Sequence, residues 1–195
     1  MKTAEIVKEF STYFQEYKAA TNHPEPTWMS IASADKSGRP STRIVLLKDF
    51  DERGFVFYTN FTSRKGQQLQ DNPFAALTFY WPELSRQVRI EGAVEKVSDE
   101  EADAYFASRA RKSQIGAWAS KQSQDIEHKL DFEKRVAKYA LKYAVGKVPR
   151  PPFWGGFRVI PELIEFWVNK EFRLHDRTVF TRQEGDDWAV RKIYP

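Results

Sequence analysis

The chain has 195 residues, no cysteine, and 31 Lys and Arg against 27 Asp and Glu, for a net charge of +4. No disulfide framework, thiolate metal site or cysteine nucleophile can exist in it, and its length suits one domain over residues 1–195 whose core needs no covalent staple. The positive excess is spread along the chain and not gathered into an arm, which favours small anionic ligands over nucleic acid.

The opening residues carry no apolar signal segment and no run approaches ~18 apolar residues, so a soluble, cytoplasmic protein is expected. Residues 3–20 set Ile6, Val7, Phe10, Tyr13, Phe14 and Tyr17 at helical spacing, and the prolines of His23-Pro24-Glu25-Pro26 end that amphipathic helix. Strands are predicted at 28–34, 41–48 and 55–59, the last two forming a hairpin across the charged turn 49–54. Ser63 begins a short helix that stops at Asn72-Pro73, and long strands follow at 74–81 and 85–97. Ser98-Asp99-Glu100-Glu101 has the form of a capping box, opening a helix that carries Tyr105 and Arg109. Further helix is predicted at 113–118 and 124–143, the latter with Ile126, Leu130, Val136, Ala140 and Tyr143 on one stripe. After a proline-rich loop, strands return at 157–160, 163–168, 172–181 and 188–193. Seven or eight mostly hairpin-connected strands with a helical insertion predict an α+β barrel. A doubly wound parallel sheet is not expected, since strands and helices do not alternate and no Gly-rich strand-to-helix turn is present.

Several clusters bear on chemistry. Ser63-Arg64-Lys65 sits where a hydrophobic hairpin meets a helix start, either an anion-binding corner or an ordinary capped helix with solvated cations. Arg173, His175 and Arg177 alternate along a predicted strand and so share a face, which is either solvent-exposed or turned toward an anion or an electron-rich ring. Tyr105, Arg109 and Ser113 are spaced by four, a hydroxyl–guanidinium–hydroxyl set suited to a phosphate monoester if the helix continues through them, and otherwise an exposed helix face. Ser123, in Ser120-Lys121-Gln122-Ser123, offers another helix cap with the same two readings. His23, His128 and His175 are far apart in sequence and form no metal-ligand spacing, so no metal site is expected.

Together, Arg43-Ile44-Val45-Leu46-Leu47-Lys48, Phe57-Tyr58-Thr59-Asn60, Ser63-Arg64-Lys65, Arg86-Gln87-Val88, Tyr105-Phe106 with Ser108-Arg109, Ser113-Gln114-Ile115-Gly116-Ala117-Trp118, Ser120-Lys121-Gln122-Ser123, Phe153-Trp154-Gly155-Gly156-Phe157-Arg158, Glu165-Phe166-Trp167 and Arg173-Leu174-His175-Asp176-Arg177 resemble the pyridoxine/pyridoxamine 5′-phosphate oxidases, in order over residues 31–195. The resemblance implies a split β-barrel homodimer with FMN at the subunit interface. It assigns the flavin to Arg43, Ile44, Val45, Leu46, Leu47, Lys48, Tyr58, Thr59, Arg64, Lys65, Gln87, Gln122, Ser123, Trp167 and Arg177. It assigns the substrate phosphate to Lys48, Tyr105, Arg109 and Ser113, and the pyridine ring to Arg173, Leu174 and His175, with Arg173 and His175 as the catalytic pair. Strict alternation puts Arg43 and Lys48 on opposite strand faces, so a twist, a bulge or two different ligands is expected there.

The implied reaction oxidises pyridoxamine or pyridoxine 5′-phosphate at C4′ to pyridoxal 5′-phosphate, with molecular oxygen as acceptor and hydrogen peroxide as by-product. Many members carry an N-terminal Arg-x-x-Tyr arm that folds over the substrate; this chain begins at the first helix, and Tyr13 and Tyr17 do not recreate that pattern. Two rivals stand beside the reading: a related flavin oxidase of phenazine biosynthesis, whose substrates lack a phosphate, and a non-catalytic module that binds FMN or pyridoxal phosphate. Peroxide release separates the last from an enzyme.

Overall fold

The computed structural model describes residues 1–195. Its order is α1(Thr3–Ala20), β1(Trp28–Ala34), β2(Pro40–Leu46), β3(Asp49–Asp51), β4(Gly54–Asn60), α2(Arg64–Asp71), β5(Phe74–Trp81), β6(Arg86–Lys96), α3(Asp99–Ser108), α4(Arg111–Ala119), α5(Asp131–Lys142), β7(Trp154–Val168), β8(Asp176–Arg182) and β9(Trp188–Lys192). All nine strands belong to one antiparallel sheet, in the order β2-β1-β5-β6-β7-β4-β3, with β8 and β9 branching from β7. No helix is long and apolar enough to cross a membrane.

β7 makes the sheet a split barrel. Its first half pairs with β4, its second half with β8, and both halves with β6. The halves meet at a bulge, where Glu91 faces Leu163 but Gly92 faces Pro161, leaving Glu162 extra. A Cβ on Gly92 would lie 1.9 Å from the Ile160 carbonyl oxygen, so only glycine permits this approach. The strands expected at 157–160 and 163–168 are thus one bent strand, because Pro161 falls at the bulge and not at a break.

The expected pairing of 41–48 with 55–59 is also corrected. β2 pairs with β1, while β4 takes the short β3 as its hairpin partner. Between β2 and β3 the chain steps from one end of the sheet order to the other, with the Leu47 amide donating to Thr27 O (2.8 Å) and the Lys48 amide to Val56 O (2.9 Å). Those two bonds help to close the curled sheet on itself.

Alternation fills the interior: Met29, Ile31, Leu77, Phe79, Val88, Ile90, Ile164 and Phe166 point inward and are buried. The α1 stripe meets them, Phe10 lying 4.9 to 5.1 Å from the rings of Phe50, Phe55 and Phe79 in edge-on geometry. Burying such a ring contributes roughly 1.5–3 kcal/mol, which explains why the helical periodicity was legible at full length.

Three predicted elements are shorter than expected. α5 starts at Asp131, not 124, because residues 121–130 are all exposed and Ser123 has φ 68°, outside helical geometry. Ser123 is therefore no helix cap, and Ile126 and Leu130 lie outside the packed stripe. The helix through Tyr105 ends at Ser108; Arg109 and Ala110 are extended, with ψ 148° and 138°, before α4 begins. Finally, β8 starts at Asp176 because Phe172 and Arg173 adopt left-handed φ of 55° and 61°. Arg173 and His175 accordingly stand on a turn before the strand, and strand alternation does not bring them together with Arg177.

Candidate active site

A cavity of about 650 Å³ opens between the end of β2, the end of β4, α2 and the α3–α4 corner. β2 contributes Ile44, Val45 and Leu46, the step after it Lys48, β4 Tyr58 and Thr59, α2 Lys65, the corner Tyr105, Arg109 and Ser113, and the following loop Gln122. Its lining holds three cations, Lys48, Lys65 and Arg109, and no carboxylate. Lys65 and Arg109 face it without an acid partner, and an anion entering the cavity relieves the repulsion among the three cations.

One corner is built at the start of α2. Ser63 Oγ accepts from the Gly66 amide at 3.2 Å and donates to Asn60 O at 2.7 Å, fixing the helix entry. Gly66 is required there, since a Cβ would come within 2.6 Å of the Asn60 carbonyl oxygen. Lys65 is buried, and its Nζ donates to Thr59 Oγ1 (2.9 Å) and Gln122 Oε1 (3.2 Å), both neutral. Burial, helped by the charge of Arg43, brings its pKa down to about 8. Arg43 donates to Ser33 Oγ (2.7 Å) and to Ser41, and burial together with Arg64 lowers its pKa as well. Arg64 itself is exposed.

The other corner lies on the α3–α4 break. Arg109 Nη1 is buried without a hydrogen-bond partner, and its guanidinium rests 4.8 Å from the Trp154 ring centre. Tyr58 stacks on Tyr105 at 4.0 Å and on Trp154 at 5.3 Å, forming an aromatic wall beside the cation. Burial raises the pKa of both tyrosines, so they stay protonated as donors, and lowers that of Arg109. The helix does not continue through Arg109 as the spacing of Tyr105, Arg109 and Ser113 required, yet all three line the cavity because the chain turns a corner around it.

The remaining assigned residues stand elsewhere. Leu47 is a core side chain and its amide is already bonded to Thr27, so it offers the cavity nothing. Arg43 does not line the cavity whereas Lys48 does, consistent with opposite faces and with β2 ending at Leu46. Ser123 is exposed and faces a neighbouring hollow. Gln87, Trp167 and Arg177 form one cross-strand row over β6, β7 and β8. In that row Arg177 Nε donates to the buried Glu165 carboxylate at 2.7 Å, so its charge is met within the chain. His175 packs 4.7 Å from Trp167, and its Nδ1 accepts from the Lys170 amide at 3.2 Å, while Arg173 and Leu174 are exposed. None of this second group lines the cavity.

Among the residues that sequence reasoning missed, two bear on the charges of the site. Glu25 Oε2 lies 3.8 Å from Lys48 Nζ, and its pKa is lowered first by the hydrogen bond from Thr27 and then by Lys48. Trp154 was quoted within a motif but given no role; its indole forms the wall on which Arg109 rests. No local pattern marks either one, since both contacts join segments far apart in the chain.

The donor set fits the two anionic groups that a flavin mononucleotide and a phosphorylated substrate present: one cationic corner at α2, a second at Arg109, and strand backbone between them for a flat ring. Residues 14–143 match the family described as pyridoxamine 5′-phosphate oxidase, and residues 154–195 match the pyridoxine 5′-phosphate oxidase C-terminal dimerisation region. A pyridoxine/pyridoxamine 5′-phosphate oxidase of Brucella canis is 53% identical over 196 residues, covering 100% of this chain and 96% of the relative. One from Brucella abortus (strain 2308) is also 53% identical, with 93% of its length covered. Among solved structures, PhzG from Burkholderia lata 383 in complex with tetrahydrophenazine-1-carboxylic acid has a TM-score of 0.91 at 29% identity, over 98% of this chain and 93% of that one. A pyridoxamine 5′-phosphate oxidase-related, FMN binding protein from Nostoc punctiforme PCC 73102 shares the fold, with a TM-score of 0.75 at 16% identity over 96% of each chain. Barrel and C-terminal strands alike place this chain in the pyridoxamine 5′-phosphate oxidase family.

Proposed function

We propose that the chain oxidises pyridoxamine 5′-phosphate and pyridoxine 5′-phosphate to pyridoxal 5′-phosphate, with FMN as cofactor, oxygen as acceptor and hydrogen peroxide as by-product. The observation that carries the reading is a cavity lined by Lys48, Tyr105, Arg109 and Ser113, with no carboxylate in its lining and a buried Arg109 nitrogen that lacks a partner. A phosphate monoester supplies the missing acceptors, and the 53% identity to named oxidases over the whole chain supports the same substrate class.

FMN held here would supply the redox chemistry, a two-electron oxidation at C4′ with oxygen as the final acceptor. The chain supplies binding and orientation. Lys65, Arg64 and Arg43 hold the flavin phosphate at the start of α2, assisted by the free amides of its first turn. Ile44, Val45, Leu46, Tyr58 and Thr59 line the cavity and would hold the flat ring. Lys48, Tyr105, Arg109 and Ser113 clamp the substrate phosphate, which fixes the register of the pyridine ring by contacts remote from the reacting carbon.

Gln87, Trp167, Arg177, Arg173 and His175 complete this site from a second copy. Two features support a homodimer: the match of residues 154–195 to a dimerisation region, and the separation of these residues from the cavity within one chain. Residues 1–195 then act as one flavin-binding unit, paired about a two-fold axis.

The similarity to PhzG keeps the phenazine reading alive, since that protein was solved with a phenazine carboxylic acid. The phosphate clamp favours the vitamin-derived substrate. Purified yellow protein given pyridoxamine 5′-phosphate in air is expected to release peroxide and form the aldehyde, with pyridoxamine itself a far poorer substrate. No peroxide from either compound would leave only a flavin carrier, and equal rates on both would remove the clamp from the argument.

A further inference from the structure

The capping box of α3 is only half made. Ser98 Oγ accepts from the Glu101 amide at 3.1 Å, but the Glu101 carboxylate does not return to the Ser98 amide. It turns to Arg158, whose Nη2 donates to both of its oxygens at 3.1 and 3.0 Å, and it accepts a further bond from Arg53 at 2.9 Å. Arg158 is 2% exposed and sits within β7, with Asp51 at 3.1 Å on its other nitrogen. Glu95 stands 3.7 Å from its Nε, and the bonds from Glu101 complete the compensation of this buried guanidinium, which outweighs one forgone cap contact.

The consequence for the site lies in spacing. Glu101 and Tyr105 stand four apart on one face of α3, and Arg109, four further on, is the extended residue that caps the end of the helix. On β7, Trp154 and Arg158 are also four apart and share a strand face. Eight helical residues rise about 12 Å and four strand residues about 13 Å, so Glu101 can stand over Arg158 while Arg109 stands over Trp154. Both contacts are made, and Tyr105 meets the Tyr58 ring midway between them at 4.0 Å. Arg150 ties the same helix from its other side, donating to Asp99 Oδ1 at 2.6 Å and to Trp154 O at 2.9 Å.

We propose that Glu101 and Arg158 form a register pin that sets α3 along β7 and so aims Tyr105 and Arg109 at the substrate phosphate. Neither residue lines the cavity; both are positioning residues that act through the clamp. This rests on the clamp reading given above. Because Arg150 keeps the helix docked, loss of the pin shifts the clamp without releasing α3.

The test is Glu101→Gln, which preserves shape and the Ser98 cap but removes the one charge on α3 that meets Arg158, leaving Asp51 and Glu95 beside the guanidinium. The expected result in flavin-loaded protein is a KM for pyridoxamine 5′-phosphate raised about tenfold, kcat changed less than about twofold and flavin content unchanged. Binding followed by tryptophan quenching should weaken about tenfold for pyridoxal 5′-phosphate and stay within about twofold for pyridoxal, which has no phosphate. Arg53→Ala removes an exposed partner of Glu101 that folding can spare, and should shift the same two ratios by about twofold in the same direction. Equal losses for phosphorylated and unphosphorylated ligands, or no loss in either variant, would overturn the pin. An inactive wild type would instead overturn the oxidase reading, and the binding measurements would still decide the pin.

Discussion

The guanidinium of Arg109 lies 4.8 Å from the centre of the Trp154 indole, with Nη1 buried and unpaired. A π-face compensates a desolvated cation only partly, so this guanidinium carries an electrostatic penalty that a phosphate relieves. Arg109→Met keeps the stem against the indole and removes the charge. The protein is expected to stay yellow, with Tm unchanged or raised, while KM for pyridoxamine 5′-phosphate rises about 10- to 100-fold, the worth of a charge-assisted bond of roughly 1.5–3 kcal/mol. Steady-state kinetics beside calorimetry check this. Loss of flavin in that variant would mean that Arg109 serves the cofactor's phosphate.

Lys65 gives the flavin site a pH signature. Burial first, and Arg43 second, bring its pKa down to about 8. An unfolded lysine titrates near ~10.4, so between about pH 8 and 10.4 the unfolded chain binds more protons than the folded one, and the stability of the apo-protein rises across that window. Below pH 8 both states carry the charge and this term is constant. Affinity for FMN runs the other way, because the amine loses its charge above pH 8 while the phosphate remains a dianion. Lys65→Met should flatten both profiles and weaken FMN about 10- to 100-fold at pH 7, with a smaller effect from the exposed Arg64→Ala. Flavin fluorescence titrated into apo-protein from pH 7 to 9.5 measures this, and a flat wild-type curve refutes the role given to Lys65.

What the sequence made legible was local. The bounds of α1, β1 and β5 follow from periodicities that a short window contains, and Ser63 caps α2 as its residue type and position require. The misses are backbone choices that tertiary context makes for unremarkable residues. Phe172 and Arg173 take left-handed conformations with no glycine to announce them, and Arg109 and Ala110 leave the helix without a proline. Lys48 was legible as a site residue but its pairing with Glu25 was not, because a contact between a loop and a strand end leaves no spacing to read. Glu101 shows the same limit inside a recognised motif: its spacing from Ser98 is that of a capping box, and a buried arginine on a strand still to come takes the carboxylate.

The dimer should be breakable from outside the cavity. Trp28 and Tyr80 are 51% and 62% exposed on the outer face of β1 and β5, and Tyr80 stands beside Gln87 in the row that continues to Trp167 and Arg177. In a two-fold interface a new charge is buried twice, so Tyr80→Glu is expected to give monomers by light scattering. Flavin affinity should fall with it, although Tyr80 does not line the cavity. An intact dimer in this variant would move the interface off this face, and a monomer with full flavin would end the shared-site reading.

The turn bearing Arg173 and His175 trades stability for placement. Two adjacent non-glycine residues at φ 55° and 61° cost about 1–2 kcal/mol each, and the outcome is an exposed Arg173 beside a half-buried His175. The Lys170 amide donates to His175 Nδ1, so the neutral ring carries its proton on Nε2 and can offer it to a ligand. Phe172→Gly removes the left-handed penalty at one position and should raise stability by about 0.5–1 kcal/mol, net of glycine's greater freedom when unfolded. The same change loosens the turn, so turnover is expected to fall while the protein melts higher. Arg173→Ala and His175→Asn should retain flavin but slow its anaerobic reduction by saturating pyridoxamine 5′-phosphate by more than about tenfold, since contacts to the reacting ring count most in the transition state. Stopped-flow absorbance isolates that step from reoxidation by oxygen. If Arg173→Ala and His175→Asn both reduce the flavin at the wild-type rate, the turn is structural and the substrate ring is held elsewhere.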